Sequence, residues 1–213
     1  MRFLLVLLAA CAVGGCARVQ EIGSLQPVPL VAADGPAQRH AIAYQLPAEP
    51  SAGTRPAITV LRGAACEPGS QRASRASTFV IMDAEYANVF QDELRRAGYR
   101  ATDALPAGAG GAGTGYRLTA TMSGVGLNVC LPEIDQNNPY DGKGEAGMTV
   151  QWQVRRASDG RVVYTSTQRC YARTDTVIAA AGRVLLKAAF VRAIHGLLAD
   201  EGFRAVLRQG QGL

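Results

Sequence analysis

Residues 144–171, GEAGMTVQWQVRRASDGRVVYTSTQRCY, decide the fold. Ala146, Met148, Val150, Trp152 and Val154 alternate with Thr149, Gln151, Gln153 and Arg155, the two-residue period of a strand with one face in an apolar core. Ser158, Asp159 and Gly160 then turn the chain, and Val162 to Tyr171 reads as the returning strand. A three-residue loop sets Val154 opposite Tyr164 and Trp152 opposite Ser166, which keeps the apolar positions on one face. A two-residue turn would mix them.

Upstream, Tyr116, Leu118, Ala120 and Met122 alternate with Arg117, Thr119 and Thr121, a second half-buried strand. Before it come a strand at Ala57 to Gly63 and a short apolar run at Phe79 to Met82, which suits a strand or a helix start. From Asp83, a fitting N-cap, Tyr86, Val89, Phe90, Leu94 and Ala97 recur at helical spacing until Gly98 stops the helix. Tyr99 to Thr102 opens a short strand, and Pro106 with the glycines from Gly108 to Gly115 makes a flexible break.

Downstream of Asp175, Leu186, Phe190, Ile194 and Leu197 form a helical stripe with Val184, Val191 and Leu198 beside it, a wide buried face. Arg183, Lys187 and Arg192 interrupt it too often for a membrane helix, and Gly202 separates a last helical piece from Phe203 to Leu207. The expectation is an α/β domain of the α+β type over residues 57–213. It is a two-layer sandwich, a mostly antiparallel sheet with helices on one face. The 213 residues, 48% of them hydrophobic, suffice for one core.

From Ala17 to Pro56, Pro27, Pro29, Pro36, Pro47, Pro50 and Pro56 lie among small and polar residues, which reads as a tether over residues 16–56. A flexible segment of roughly 40 residues has an end-to-end distance of about 35 Å. Ile42 to Leu46 alternates like a short edge strand, but the nearby prolines demote it.

Residues 1–15 combine Arg2, an apolar run from Phe3 to Ala10 and small residues ahead of a cysteine, which reads as a secretory signal. The run is too short to span a bilayer as a helix, which takes about 20 apolar residues. Val13, Gly14 and Gly15 before Cys16 form a lipobox, so the start resembles a bacterial lipoprotein precursor. The resemblance implies cleavage before Cys16 and acylation of its sulfur and amino group, with a membrane as partner through the lipid. Leu8, Ala9 and Ala10 before Cys11 also fit, but that cut leaves a signal shorter than usual. A plain cleaved signal is the simpler alternative. In such lipoproteins an aspartate after the cysteine marks inner-membrane retention; Ala17 there implies the periplasmic face of the outer membrane.

Without Arg2 the balance is 21 basic against 17 acidic side chains, only mildly attractive to anions. No dense basic cluster interleaves with aromatics, so nucleic acid is not an expected partner. His40 falls in the tether and His195 on the second helix, where packing explains it better than base catalysis. No GxSxG or GDSGG stretch presents a nucleophile, and no enzyme is expected. Gly108, Gly110 and Gly113 satisfy GxGxxG but precede a strand instead of joining a strand to a helix, so no cofactor is expected. Glu133, Asp135, Asn137, Asn138, Asp141 and Glu145 are hard oxygen donors without EF-hand spacing, and no metal is expected. Glu133, Asp135, Tyr140 and Asp141 remain a candidate partner-binding loop, with Tyr140 as its aromatic anchor.

VGLNVC, GKGEAGMTVQWQV, RVVY and AFVRAIHGLLADEGFRAVL, spread over Met122 to Leu207, resemble a small exported α/β domain of proteobacterial envelope proteins, also found beside trypsin-like protease domains. The resemblance implies accessory or interaction duty, and residues 17–110 lend it little. The expected function is a lipoprotein binding another envelope component as an accessory subunit of an assembly. The alternatives are a peptidoglycan or small-ligand binding module and, behind it, a hydrolase with an unrecognised site.

Once Cys11 is cleaved off and Cys16 acylated, Cys66, Cys130 and Cys170 remain, an odd number in an oxidising compartment. If the strand from Tyr116 runs on in phase, Cys130 shares the Trp152 face with Cys170, which favours a Cys130–Cys170 bridge. Gly124 and Gly126 offer a bulge that would break that phase. Cys66–Cys130 and three free thiols stay open.

Overall fold

The 146–171 hairpin builds the centre of the molecule, and the alternation of its residues fixes which face is covered. In the computed structural model, residues 29–35, 40–45, 57–62, 83–103, 115–131 and 141–209 are described. Strands β1 (Ala41–Gln45), β2 (Ala57–Arg62), β3 (Arg100–Thr102), β4 (Gly115–Leu131), β5 (Gly142–Arg156) and β6 (Val162–Ile178) form one sheet. The helices are α1 (Asp83–Arg96), α2 (Ala181–Ala199) and α3 (Glu201–Gln209). The sheet order is β3-β1-β4-β5-β6, with β2 also on β4. The long β4–β5 and β5–β6 pairings are antiparallel, and the short ones of β1 and β2 are parallel, so the domain is an α+β sandwich with a mostly antiparallel sheet.

The hairpin register is the expected one: Trp152 faces Ser166, Val154 faces Tyr164 and Met148 faces Cys170. The loop differs. Pairing shifts by a residue between Val154 and Arg155, and Gly160 takes a left-handed φ of 68° that its missing Cβ makes cheap. β6 runs seven residues beyond Tyr171, to Ile178.

β4 changes phase midway. Ser123 faces Thr149 but Gly126 faces Gly147, so β4 carries one extra residue, with Gly124 at φ 56°. Before the bulge Tyr116, Leu118 and Ala120 are buried; after it Leu127, Val129 and Leu131 take their place. The same long strand takes β1 beside its first half and β2 beside its second.

All three helices cover the face that carries Trp152. Phe90 of α1 lies 5.8 Å from Trp152 and 4.7 Å, stacked, from Tyr44. Phe190 of α2 lies 5.9 Å from Trp152 on another side. Phe203 of α3 packs between Tyr99 and Tyr164. α1 ends in a Schellman motif: the Gly98 N–H donates to the Arg95 carbonyl and the Tyr99 N–H to the Leu94 carbonyl, with Gly98 at φ 86°. Two details of the helical reading change. Val184 is exposed, outside the buried face of α2. The break before α3 is Asp200, whose Oδ1 accepts from the backbone N–H groups of Gly202 and Phe203, so Gly202 lies inside α3.

The stretch read as tether contributes to the core. β1 sits between β3 and β4, with Ile42 and Tyr44 buried, and the Ala33 N–H donates to the Ala97 carbonyl. Asp34 is bound at 2.6 Å by Arg204 and at 2.9 Å by Arg208. Prolines ended the alternation early, but a parallel partner on each side lets five residues suffice.

Candidate interaction surface

The titratable groups singled out in the sequence are spent on packing. His195 is buried in α2, where its Nε2 lies 2.8 Å from Glu93 Oε2 of α1. Arg96 holds the other Glu93 oxygen at 2.7 Å. This pair joins two helices inside the molecule, so both buried polar groups are hydrogen-bonded. His40 is also buried, edge-on to Tyr116 with ring centroids 5.4 Å apart. Among the described residues no three His, Cys, Asp or Glu side chains gather in a group that could hold a metal. No described helix is long and apolar enough to cross a membrane.

Of the candidate loop, Glu133, Asp135 and Tyr140 lie outside the described residues, as does Cys16. Asp141 is described and occupied: its Oδ1 accepts, at 3.2 Å, the backbone N–H of Ala180, the left-handed residue (φ 48°) that starts α2. Its role there is to hold the β6–α2 turn.

The Cys130–Cys170 bridge is corrected. Cys170 is a free, buried thiol on the helix-covered face opposite Met148, and burial pushes its pKa up to about 11. The β4 bulge turns Cys130 to the other face, opposite Lys143, so the sheet separates the two sulfurs. Cys130 is disulfide-bonded, with a partner outside the described residues.

The uncovered face of the sheet carries what the sequence reading passed over. Register places Thr119, Gln153 and Thr165 in one row, Thr121, Gln151 and Thr167 in the next, and Ser123, Thr149 and Arg169 in a third. Arg117 stands directly opposite Arg155. Arg100 shares this face, because it pairs with Ala41, which points away from the buried Ile42 and Tyr44. No described helix lies over these rows. The following row is Gly126, Gly147 and Tyr171. A Cβ on Gly147 would meet Tyr171 ring carbons at 2.7 and 2.8 Å, so the missing side chain is what lets the Tyr171 ring lie over β5. That ring is still 45% exposed.

Charge is divided between the two layers. Every arginine on the helices has a partner: Arg95 with Asp92, Arg96 with Glu93, Arg183 with Glu85, Arg192 with the Tyr171 carbonyl, Arg204 with Asp34, and Arg208 with Asp34 and Glu201. On the open face Arg100, Arg117 and Arg169 have no hydrogen bond or ion pair among the described residues. Among the described residues Arg155 meets only the Gln153 amide oxygen and the Gly160 carbonyl. Arg173, bound to Asp175 at 2.9 Å, is the exception. The alternation made these residues legible as solvent-facing, but only the register across three strands shows them as one surface.

These features define a class: a helix-backed open sheet whose candidate site is a surface rather than a cleft. No protein-family model matches the chain, and no curated protein matches it. Three solved structures are similar to it in fold. One is a protein of the DUF330 family model from Xanthomonas campestris, 12% identical, covering 86% of this chain and 95% of that one at a TM-score of 0.42. A second is a candidate lipoprotein from Caulobacter crescentus, 15% identical, covering 70% and 91% at 0.38. The third is a candidate homologue of the neuraminyllactose-binding hemagglutinin from Helicobacter pylori, 10% identical, covering 86% and 97% at 0.41. Likeness at this level carries no argument about what this chain does.

Proposed function

We propose that this protein is a lipoprotein of the bacterial envelope, anchored through Cys16 at the periplasmic face of the outer membrane, that binds another envelope component as an accessory subunit. The observation that carries the binding reading is the division of polar groups. Glu93, His195, Asp141 and the helix arginines are engaged with partners in the fold, whereas the sheet face that no described helix covers presents polar side chains and arginines without a partner among the described residues. A cluster built for catalysis would hold perturbed groups in a concavity. The anchor rests on the sequence around Cys16.

Mass spectrometry of the mature chain tests the anchor. An acylated terminus at Cys16 is the expected result; acylation at Cys11, or a soluble unacylated product, overturns it. Recovery of one stoichiometric protein from detergent-solubilised envelopes, lost in the Arg117→Ala/Arg169→Ala variant, is expected for a subunit. A peptidoglycan module is the second reading, favoured by the hydroxyl and amide rows of the open face. It predicts recovery only with purified cell wall.

A further inference from the structure

We propose that the open face of β4, β5 and β6 binds an acidic glycan strand, with the Tyr171 ring as its stacking platform and Arg169, Arg117 and Arg155 as its anion contacts. This rests on reading that face as the binding surface and names the chemistry of its ligand.

Three independent features converge on that chemistry. The first is the platform. Tyr171 sets its Cδ1–Cε1 edge against β5 because Gly147 leaves room for it, and the half-exposed aromatic ring offers a face that matches the C–H face of a pyranose. An aromatic anchor of this kind brings much contact area at little entropic cost, since Tyr has only two side-chain torsions. The second is the polar lattice beside it. Thr149, Gln151, Thr167 and Thr121 each offer a donor and an acceptor. Neighbouring strands lie about 4.8 Å apart and same-face residues along a strand about 6.7 Å apart, so the array repeats on the scale of one sugar residue along a glycan chain. The third is charge. Arg117 and Arg155 face each other across β4 and β5, a like-charged pair that costs stability unless an anion lies between them. Arg169 is two residues from Tyr171 on the same face and has no partner among the described residues. Guanidinium groups take carboxylates in bidentate geometry, which gives an acidic sugar preference over a neutral one.

Other occupants fit less well. A lipid surface would take inserted apolar side chains, but the exposed large hydrophobics among the described residues are scattered, Val162 and Val177 near opposite ends of β6, Tyr171 between them and Val184 on α2. Single-stranded nucleic acid would need successive stacking rings, and among the described residues this face has one.

The test uses the full-length chain in a mild non-ionic detergent, with alginate as a polyuronate probe and dextran as its neutral counterpart. Binding to alginate and not to dextran is expected. Tyr171→Ala should weaken it roughly tenfold, as should Arg169→Ala, with the melting temperature of each unchanged within the effect of a surface substitution. Arg169→Lys should restore only part of the loss, because an ammonium is not bidentate. Gly147→Ala, which lifts the ring, should match Tyr171→Ala. Binding that is insensitive to Tyr171→Ala, equal for dextran, or equal for anionic lipid vesicles overturns the proposal. Loss of a protein partner in Arg169→Ala, without any alginate binding by the parent chain, overturns the glycan while leaving the face as the binding surface.

Discussion

Trp152 is the residue on which the core turns. It is fully buried, with Phe90 and Phe190 on different sides at 5.8 and 5.9 Å, so one side chain ties β5 to both α1 and α2. Replacing it with alanine leaves a cavity between layers that cannot close together, and should cost about 3 to 5 kcal/mol. A urea melt of Trp152→Ala that overlays the parent would refute this. Ala180 is strained in the opposite sense. It is the sole non-glycine residue with positive φ among those described, at 48°, and it starts α2. A Cβ is unfavourable there, so Ala180→Gly should stabilise by about 0.5 to 1 kcal/mol, net of glycine's greater freedom when unfolded. A lower melting temperature for that variant would show that the turn depends on the methyl group. Both residues show how far the sequence could be read. The burial of Trp152 follows from its place in a local alternation, whereas nothing within a few residues of Ala180 announces its backbone. That conformation is held by the Asp141 carboxylate, contributed from just ahead of β5 and 39 residues away in sequence.

At the scale of elements, local information sufficed where pairing is local. The β5–β6 register follows from Ser158, Asp159 and Gly160 with the flanking apolar pattern, and α1 from its stripe and the Gly98 stop. β1 shows in the sequence only as the short alternation from Ile42 to Leu46 that the nearby prolines demote, because what secures a five-residue strand is its two parallel neighbours, one of them in β4. The bulge at Gly124 had a visible marker, but whether it was used decided the face of every residue after it, Cys130 included. The disulfide prediction belongs here. β2 runs parallel to β4 with Leu61 beside Cys130 and ends at Arg62 beside Leu131, which leaves Cys66 four residues further on. Cys170 is free, and the anchor proposed at Cys16 would acylate that cysteine and remove Cys11 with the signal, which makes Cys66 the expected partner. Non-reducing peptide mapping should recover a Cys66–Cys130 peptide, and iodoacetamide should reach Cys170 only after denaturation. Reduction should cost about 2 to 4 kcal/mol, since it frees a long loop. A bridge to Cys170, or three alkylated thiols without reductant, would refute the assignment.

For the whole molecule, the buried phenols and thiol set an alkaline limit to stability. Burial pushes Tyr86 and Tyr164 up to about 12 from an ordinary 10.0, and Cys170 up to about 11 from 9.0; Tyr99 and Tyr116 move the same way for the same reason. Each group is neutral when protonated, so the folded chain keeps protons that the unfolded chain has released. Between the unfolded and folded values the native state therefore binds more protons, and stability must fall as pH rises. The contribution is fully present below about pH 9, starts to fade as unfolded cysteine and then tyrosine titrate, and is lost through about 11 to 12. Asp34 works in the opposite sense. Hydrogen bonds from Arg204 and Arg208 hold it below its ordinary 3.8, so its contribution is present above that value and lost as pH falls through the lower one. These groups sit at the joints between layers: Tyr86 beside Phe190, Tyr164 and Tyr99 around Phe203, and Cys170 under α2. Alkaline unfolding should thus be cooperative, with tyrosinate absorbance rising together with loss of helix signal by circular dichroism. Tyr86→Phe removes one of the two phenols that burial pushes up to about 12, so its melting temperature should decline less steeply above pH 10 than the parent's. A melting temperature that stays level from pH 9 to 11, or tyrosines that ionise near 10 while the helices persist, would show that these side chains are wetter than their packing implies.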